Sequence, residues 1–164
     1  MATTKNKLLL GEPRKGVKEG YLTIDFFGEP DILFDLSKPL TEVIEPGTIE
    51  SIGSFHMLEH LHPTVAKAAV RSWVECLQPG GVLVIETPNF DAVVRWFMNT
   101  GALKAKQWIF GDDSRLGQNH LWGYNAEELL EFFHDLPVTA YLAEPQDYHK
   151  QEGPCLRVEV IKNL

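Results

Sequence analysis

A chain of 164 residues, 44% hydrophobic and 23% charged, is expected to form one domain over 1–164 around a single core. Its formal net charge of -8 argues against a nucleic-acid backbone as partner, because that contact is made by clustered cations. The apolar runs are too short to span a bilayer, no leader peptide is recognisable, and Cys76 and Cys155 are too few for a disulfide framework. These features predict a cytoplasmic protein with free thiols, whose partner is a small molecule rather than nucleic acid or membrane.

Short apolar runs follow one another at 8–10, 21–26, 31–36, 48–55 and 82–86. Near-continuous runs of this length suit strands buried on both faces of a parallel sheet. Gly11 ends the first run, Asp25 and Phe26 end the second, and the third reaches Asp35. The links at 12–20 and 27–30 are shorter than the dozen or so residues of an ordinary parallel crossover. We therefore expect crossover helices cut down to loops, with an antiparallel hairpin as the alternative.

His62 and Pro63 open a helix in which Val65, Ala69, Trp73, Cys76 and Leu77 share one stripe. QPGG at 78–81 ends it. A second helix is read over 90–100 and stopped by Gly101. A third begins at Asn125, where Glu128 completes a capping box, and Pro137 ends it. Runs at 138–143 and 156–161 close the chain as strands, and RVEV at 157–160 alternates as a half-exposed antiparallel strand does. The long loop between them, 144–155, is of a kind that often carries function.

Asp25 and Asp35 stand at successive strand ends, where open α/β sheets bind ligands. Turn chemistry alone also places aspartate at such ends. His56, Glu59, His60 and His62 form a cluster, with His120 and His149 as further histidine candidates. If the chain is helical from Leu58, His56 and His60 lie one turn apart and could share a metal. No second group of Cys, Asp or His completes a tetrahedral set by spacing, so no metal is assigned. Glu59 and His60 can equally serve as capping groups for the Pro63 helix. NHLWGY at 119–124 reads either as a packing loop or as a lid that turns His120 and Trp122 towards a substrate, hinged at GDDSR, 111–115. Trp96 and Trp108 read as packing residues.

In order, these pieces are strand–Gly, strand–Asp, strand–Asp, SFHMLEHLHP at 54–63, a helix, LQPGGVLVIETPN at 77–89, more helix, HLWGYNAEELLEFF at 120–133, and a strand pair. The arrangement resembles the class I S-adenosylmethionine-dependent methyltransferases over 8–162, most strongly over 54–89. The resemblance implies an open, mostly parallel Rossmann-like α/β sheet with a C-terminal antiparallel strand pair and truncated N-terminal crossovers. It implies S-adenosylmethionine as cofactor and methyl transfer to a small molecule or saccharide. Under it, Asp25 takes the ribose hydroxyls, Phe26 stacks on adenine, and Asp35 accepts from the adenine amine. Gly11 belongs to the cofactor loop, while Ser54 and Phe55 lie beside the methionine end. His56, Glu59, His60 and His120 are the catalytic candidates, with His56 or His60 as general base.

The chain departs from the family at the glycine-rich turn. GEPRKG at 11–16 keeps only Gly11 of the expected pattern, and Pro13 removes a backbone donor. Glu12 could bond the cofactor's amino group or face water. This departure favours the alternative reading, a non-catalytic binding or scaffold protein that has lost the cofactor.

Overall fold

The computed structural model describes residues 6–112, 114–146 and 152–164. The strands are β1 (Lys7–Leu10), β2 (Tyr21–Asp25), β3 (Ile32–Leu33), β4 (Ile49–Phe55), β5 (Leu77–Pro88), β6 (Val138–Ala143) and β7 (Cys155–Lys162). They form one seven-stranded sheet in the order β3-β2-β1-β4-β5-β7-β6. The pairings from β3 through β5 are parallel, and β7 runs antiparallel to both β5 and β6. The apolar runs explain the burial: Leu8, Ile24, Ile52, Leu83 and Ile85 are wholly enclosed.

Because β1–β2 and β2–β3 are parallel, the short links are truncated crossovers and the hairpin alternative falls. The two loops support each other where helices would otherwise lie. Glu29 N donates to Pro13 O at 2.8 Å, and Lys15 N donates to Glu29 O at 3.1 Å. β3 is shorter than the 31–36 run. Phe34 still donates to Asp25 O at 2.9 Å, but Asp35 then turns the chain by accepting from Ser37 N at 3.0 Å. β5 is longer than expected and takes in QPGG, with Leu77 pairing to Ile49 across an irregularity in the ladder.

The helix α1 (Pro63–Cys76) carries proline in its first turn and is capped by His62, whose side chain accepts from Thr64 N. Its inner side buries Ala69, Val70, Trp73 and Val74 against β5 and the 3-10 turn Leu40–Glu42. Helix α2 (Phe90–Thr100) is capped by the Asn89 side chain and ends at Gly101, whose φ of 63° is left-handed. Helix α3 (Leu103–Phe110) was not legible in the sequence, because it fully buries only Ala105 and so has no apolar stripe. Helix α4 (Ala126–Glu131) has the Asn125–Glu128 capping box.

β7 corrects the half-exposed reading of RVEV. Arg157 is nearly buried, because β6 covers the outer edge of β7 and Glu86 of β5 accepts from its guanidinium at 3.4 Å. Neither cysteine is in a disulfide, and burial pushes the Cys76 thiol up to about 11. Among the described residues, no helix is long and apolar enough to cross a membrane.

Candidate functional site

The carboxyl ends of the parallel strands open onto a cleft of about 1820 Å³. Gly11, Asp25, Phe26 and Asp35 line it from the ends of β1, β2 and β3, and Phe55, His56, Glu59 and His60 from the end of β4, joined by His120.

Asp25 closes β2. Its Oδ1 accepts from Phe27 N at 2.8 Å. Burial pushes its carboxyl above the usual aspartate range, opposed in part by the backbone N–H groups of Phe27 and Phe26. Asp35 lies beyond the end of β3, with Oδ1 accepting from both Ser37 N and Ser37 Oγ. Phe26 is 58% exposed and meets Phe27 edge to face at 5.0 Å, so an apolar surface stands beside Asp25.

Gly11 sits at φ 77°, and a Cβ there would come within 2.3 Å of Met57 Cγ. The turn after β1 therefore needs glycine for both its conformation and its close approach to the chain after β4. We expect Gly11→Ala to cost about 1–3 kcal/mol of stability, read as a lower urea midpoint at unchanged slope. Glu12 does not face water alone. Its Oε1 accepts from Arg14 N at 3.1 Å and Arg14 Nε at 2.9 Å, folding this turn onto itself.

Ser54 is a correction. It is wholly buried inside the sheet, does not line the cleft, and its Oγ has no hydrogen-bond partner among the described residues. Alternation along β4 turns Phe55 to the cleft and Ser54 away from it.

The cluster after β4 centres on Glu59, which sits in the 3-10 turn Leu58–His60 and is 1% exposed. Its Oε2 accepts from Thr87 Oγ1 at 2.9 Å. Its Oε1 lies 3.4 Å from His56 Nδ1 and 3.9 Å from His120 Nε2, yet takes no hydrogen bond among the described residues. Burial alone would raise this carboxyl. The imidazoles of His56, His60 and His120 outweigh burial and hold it below the usual range. His56 has a left-handed φ of 51°, a strained backbone for a residue with a Cβ. Its N donates to Glu86 O at 2.7 Å, and its ring stands edge-on to Trp108 at 5.6 Å.

Glu59 and His60 are not the caps of α1, since His62 does that work. The 119–124 stretch is instead strapped across them. Leu121 N donates to Glu59 O at 2.8 Å, and His60 Nδ1 lies 3.0 Å from Asn119 O. This places the His120 ring 4.9 Å from that of His60. Burial lowers the His120 pKa. Trp122 does not face the cleft; it borders a smaller pocket with Tyr124 and Phe132. His149 and Asp113 lie outside the described residues.

Trp108 was read as packing but lines the cleft, and its carbonyl receives the His120 Nδ1 contact at 3.0 Å. Thr87 and the buried Glu86–Arg157 pair were missed as well. Their signal was a charged residue inside the apolar run VLVIETP.

Neither a family model nor a curated protein sequence matches the chain. Solved structures do. The CurJ carbon methyltransferase aligns with a TM-score of 0.60 and 14% identity over 96% of this chain, which spans 48% of that one, about half its length. The Burkholderia thailandensis 1,6-didemethyltoxoflavin-N1-methyltransferase, solved with bound 1,6-didemethyltoxoflavin and S-adenosylhomocysteine, gives 0.62 and 13% over 96% of this chain and 71% of that one. A SAM-dependent methyltransferase from Archaeoglobus fulgidus gives 0.59 and 13%, covering 95% and 85%. The fold is the class I methyltransferase fold. At these identities the likeness is one of architecture, and residue roles rest on the site itself.

Proposed function

We propose that this chain binds S-adenosylmethionine in the cleft and transfers its methyl group to a small-molecule or saccharide acceptor. The observation that carries the reading is the placement of Asp25 and Asp35 at one rim, beyond neighbouring strands, with the imidazole cluster lining the same cleft. One carboxylate can accept from a ribose diol and the other from an adenine amine. Phe26 offers a face for the base, and Gly11 lets the turn after β1 pack closely on Met57 beside it.

When bound, the cofactor supplies an electrophilic methyl group on a sulfonium. The work left to the chain is modest. It must bring the acceptor into line, exclude water, and take a proton. An acceptor hydroxyl held in line with that methyl group would take it while the sulfur keeps the electron pair of the bond it loses, and the chain's part would be to receive the acceptor proton on the imidazole cluster. Glu59 stabilises the imidazolium that results, with His56 Nδ1 3.4 Å from its Oε1.

The test is product formation across a panel of hydroxyl-bearing metabolites and sugars, read by mass spectrometry. A methylated product that depends on Asp25 supports the reading. The same panel without product, from protein that also fails to bind S-adenosylhomocysteine, leaves the scaffold alternative.

A pH dependence follows from Asp25. Its ionised form takes the ribose, and its pKa is raised. Cofactor affinity is therefore expected to fall on acidification at a pH above the ordinary aspartate range, and Asp25→Asn should flatten the profile. The sign for folding is the reverse. A raised pKa favours the protonated fold, so this contribution to stability is present at acid pH and lost as pH rises through the folded value.

A further inference from the structure

We propose that Glu59, His60 and His120 together hold a divalent transition-metal ion, of which zinc is the type, on the wall of the cleft. Their ligand atoms all lie within 4.8 Å of one another. Two of the three come from the turn after β4 and the third from the strap at 119–124, far along the chain, which is why spacing alone assigned no metal.

The first observation is the orphaned oxygen. Glu59 is 1% exposed, and its Oε1 has no hydrogen-bond donor among the described residues. A buried carboxylate oxygen without a hydrogen bond is costly; His56 Nδ1 at 3.4 Å gives it one ion-pair contact, and an ion held with His60 and His120 would satisfy it more fully. The other oxygen is fixed by Thr87 Oγ1 at 2.9 Å, which orients the carboxylate as outer-shell donors orient metal ligands.

The second observation is independent of the first. His60 Nδ1 lies 3.0 Å from Asn119 O, and His120 Nδ1 lies 3.0 Å from Trp108 O. A carbonyl only accepts, so in both rings Nδ1 carries the proton and donates. In its neutral form each ring then keeps its lone pair on Nε2, the atom left to bind an ion. A backbone carbonyl on the far nitrogen is the arrangement that fixes tautomer and ring direction in metal-bound histidines. His120 Nε2 lies 3.9 Å from the unsatisfied Oε1, and a ring nitrogen of His60 is within 4.8 Å of the ligand atoms of both partners.

Two imidazoles and a carboxylate suit zinc and its neighbours better than magnesium or calcium. Three protein ligands leave positions open, as in sites that also bind water or substrate. Ligands on a tetrahedral ion at ordinary bond lengths lie about 3.4 Å apart, against 3.9 Å between His120 Nε2 and Glu59 Oε1. A small inward movement of the strap closes that difference. The open positions face the cleft, where the ion would lower the pKa of an acceptor hydroxyl. Only that last use rests on the methyl-transfer reading; the site does not.

The experiment is calorimetric titration of the chelator-stripped full chain with zinc, followed by cobalt(II) for its ligand-field spectrum. About one equivalent is expected, with a raised melting temperature. Glu59→Gln, His60→Ala and His120→Ala should each weaken binding at least tenfold, whereas His134→Ala, on an exposed position, should not. Near-UV circular dichroism of each variant checks its fold, and His120→Gln serves as a milder variant. Absence of zinc binding by the unmutated chain overturns the proposal. So does binding that survives His60→Ala and His120→Ala but is lost in Cys155→Ser, which would place the ion on the neighbouring His56, Glu86 and Cys155. S-adenosylhomocysteine binding, measured on metal-free protein, separates failure of this site from failure of the methyl-transfer reading.

Discussion

Asp25→Ala is expected to weaken S-adenosylhomocysteine binding roughly tenfold to a hundredfold, the loss of about 1.5–3 kcal/mol from hydrogen bonds to a charged group. The carboxylate closes β2, is half-buried, and stands beside the exposed Phe26. Its Oδ1 already accepts from Phe27 N at 2.8 Å, so the side chain is held in place before any ligand arrives. The alanine variant also loses that turn bond, so Asp25→Asn is the comparison that matters. An amide keeps the volume and one acceptor oxygen but not the charge, and should fall between the two. Calorimetry on all three proteins reads the result. Equal affinities would remove Asp25 from the ligand site.

The largest effect on stability is expected at Trp73. This side chain is wholly buried in the core cluster, where α1 covers the sheet. Trp73→Ala should cost about 3–5 kcal/mol, from lost transfer energy and the cavity left behind. Domains of this kind are stable by only about 5–15 kcal/mol, so the variant is expected to be partly unfolded at physiological temperature. Its indole Nε1 has no hydrogen-bond partner among the described residues. Trp73→Phe removes that unpaired group along with some volume, and should cost clearly less. Urea unfolding followed by far-UV circular dichroism separates the two. Equal costs would mean that the indole N–H is satisfied after all.

The sheet was legible because its strands are short apolar runs ended by Gly11, Asp25 and Pro88, and buried parallel strands read that way. The cap at Asn125 is legible because its partner is three residues away, whereas the cap at His62 is not, since histidine is an uncommon capping residue and Glu59 and His60 stand nearby as candidates. What the sequence hid is long-range. Arg157 alternates as a surface residue should, and only the covering strand β6 and the carboxylate of Glu86 explain its burial. Helix α3 has too little apolar periodicity to show, so Trp108 could not be placed on the cleft wall. Ser54 was assigned to the cleft from its neighbourhood in sequence, whereas strand alternation sends it inward. The histidines were found as a cluster, but their grouping was not. His120 reaches Glu59 only because the strap hydrogen-bonds to the Glu59 carbonyl.

A crystal structure of the complex with S-adenosylhomocysteine would test the central claim most directly. The account predicts the ribose hydroxyls on the carboxylate of Asp25, the adenine directed to Asp35, and the sulfur end turned towards His56 and Glu59. A cleft still without ligand at saturating concentration, or a nucleoside bound away from the β2–β3 rim, would contradict it.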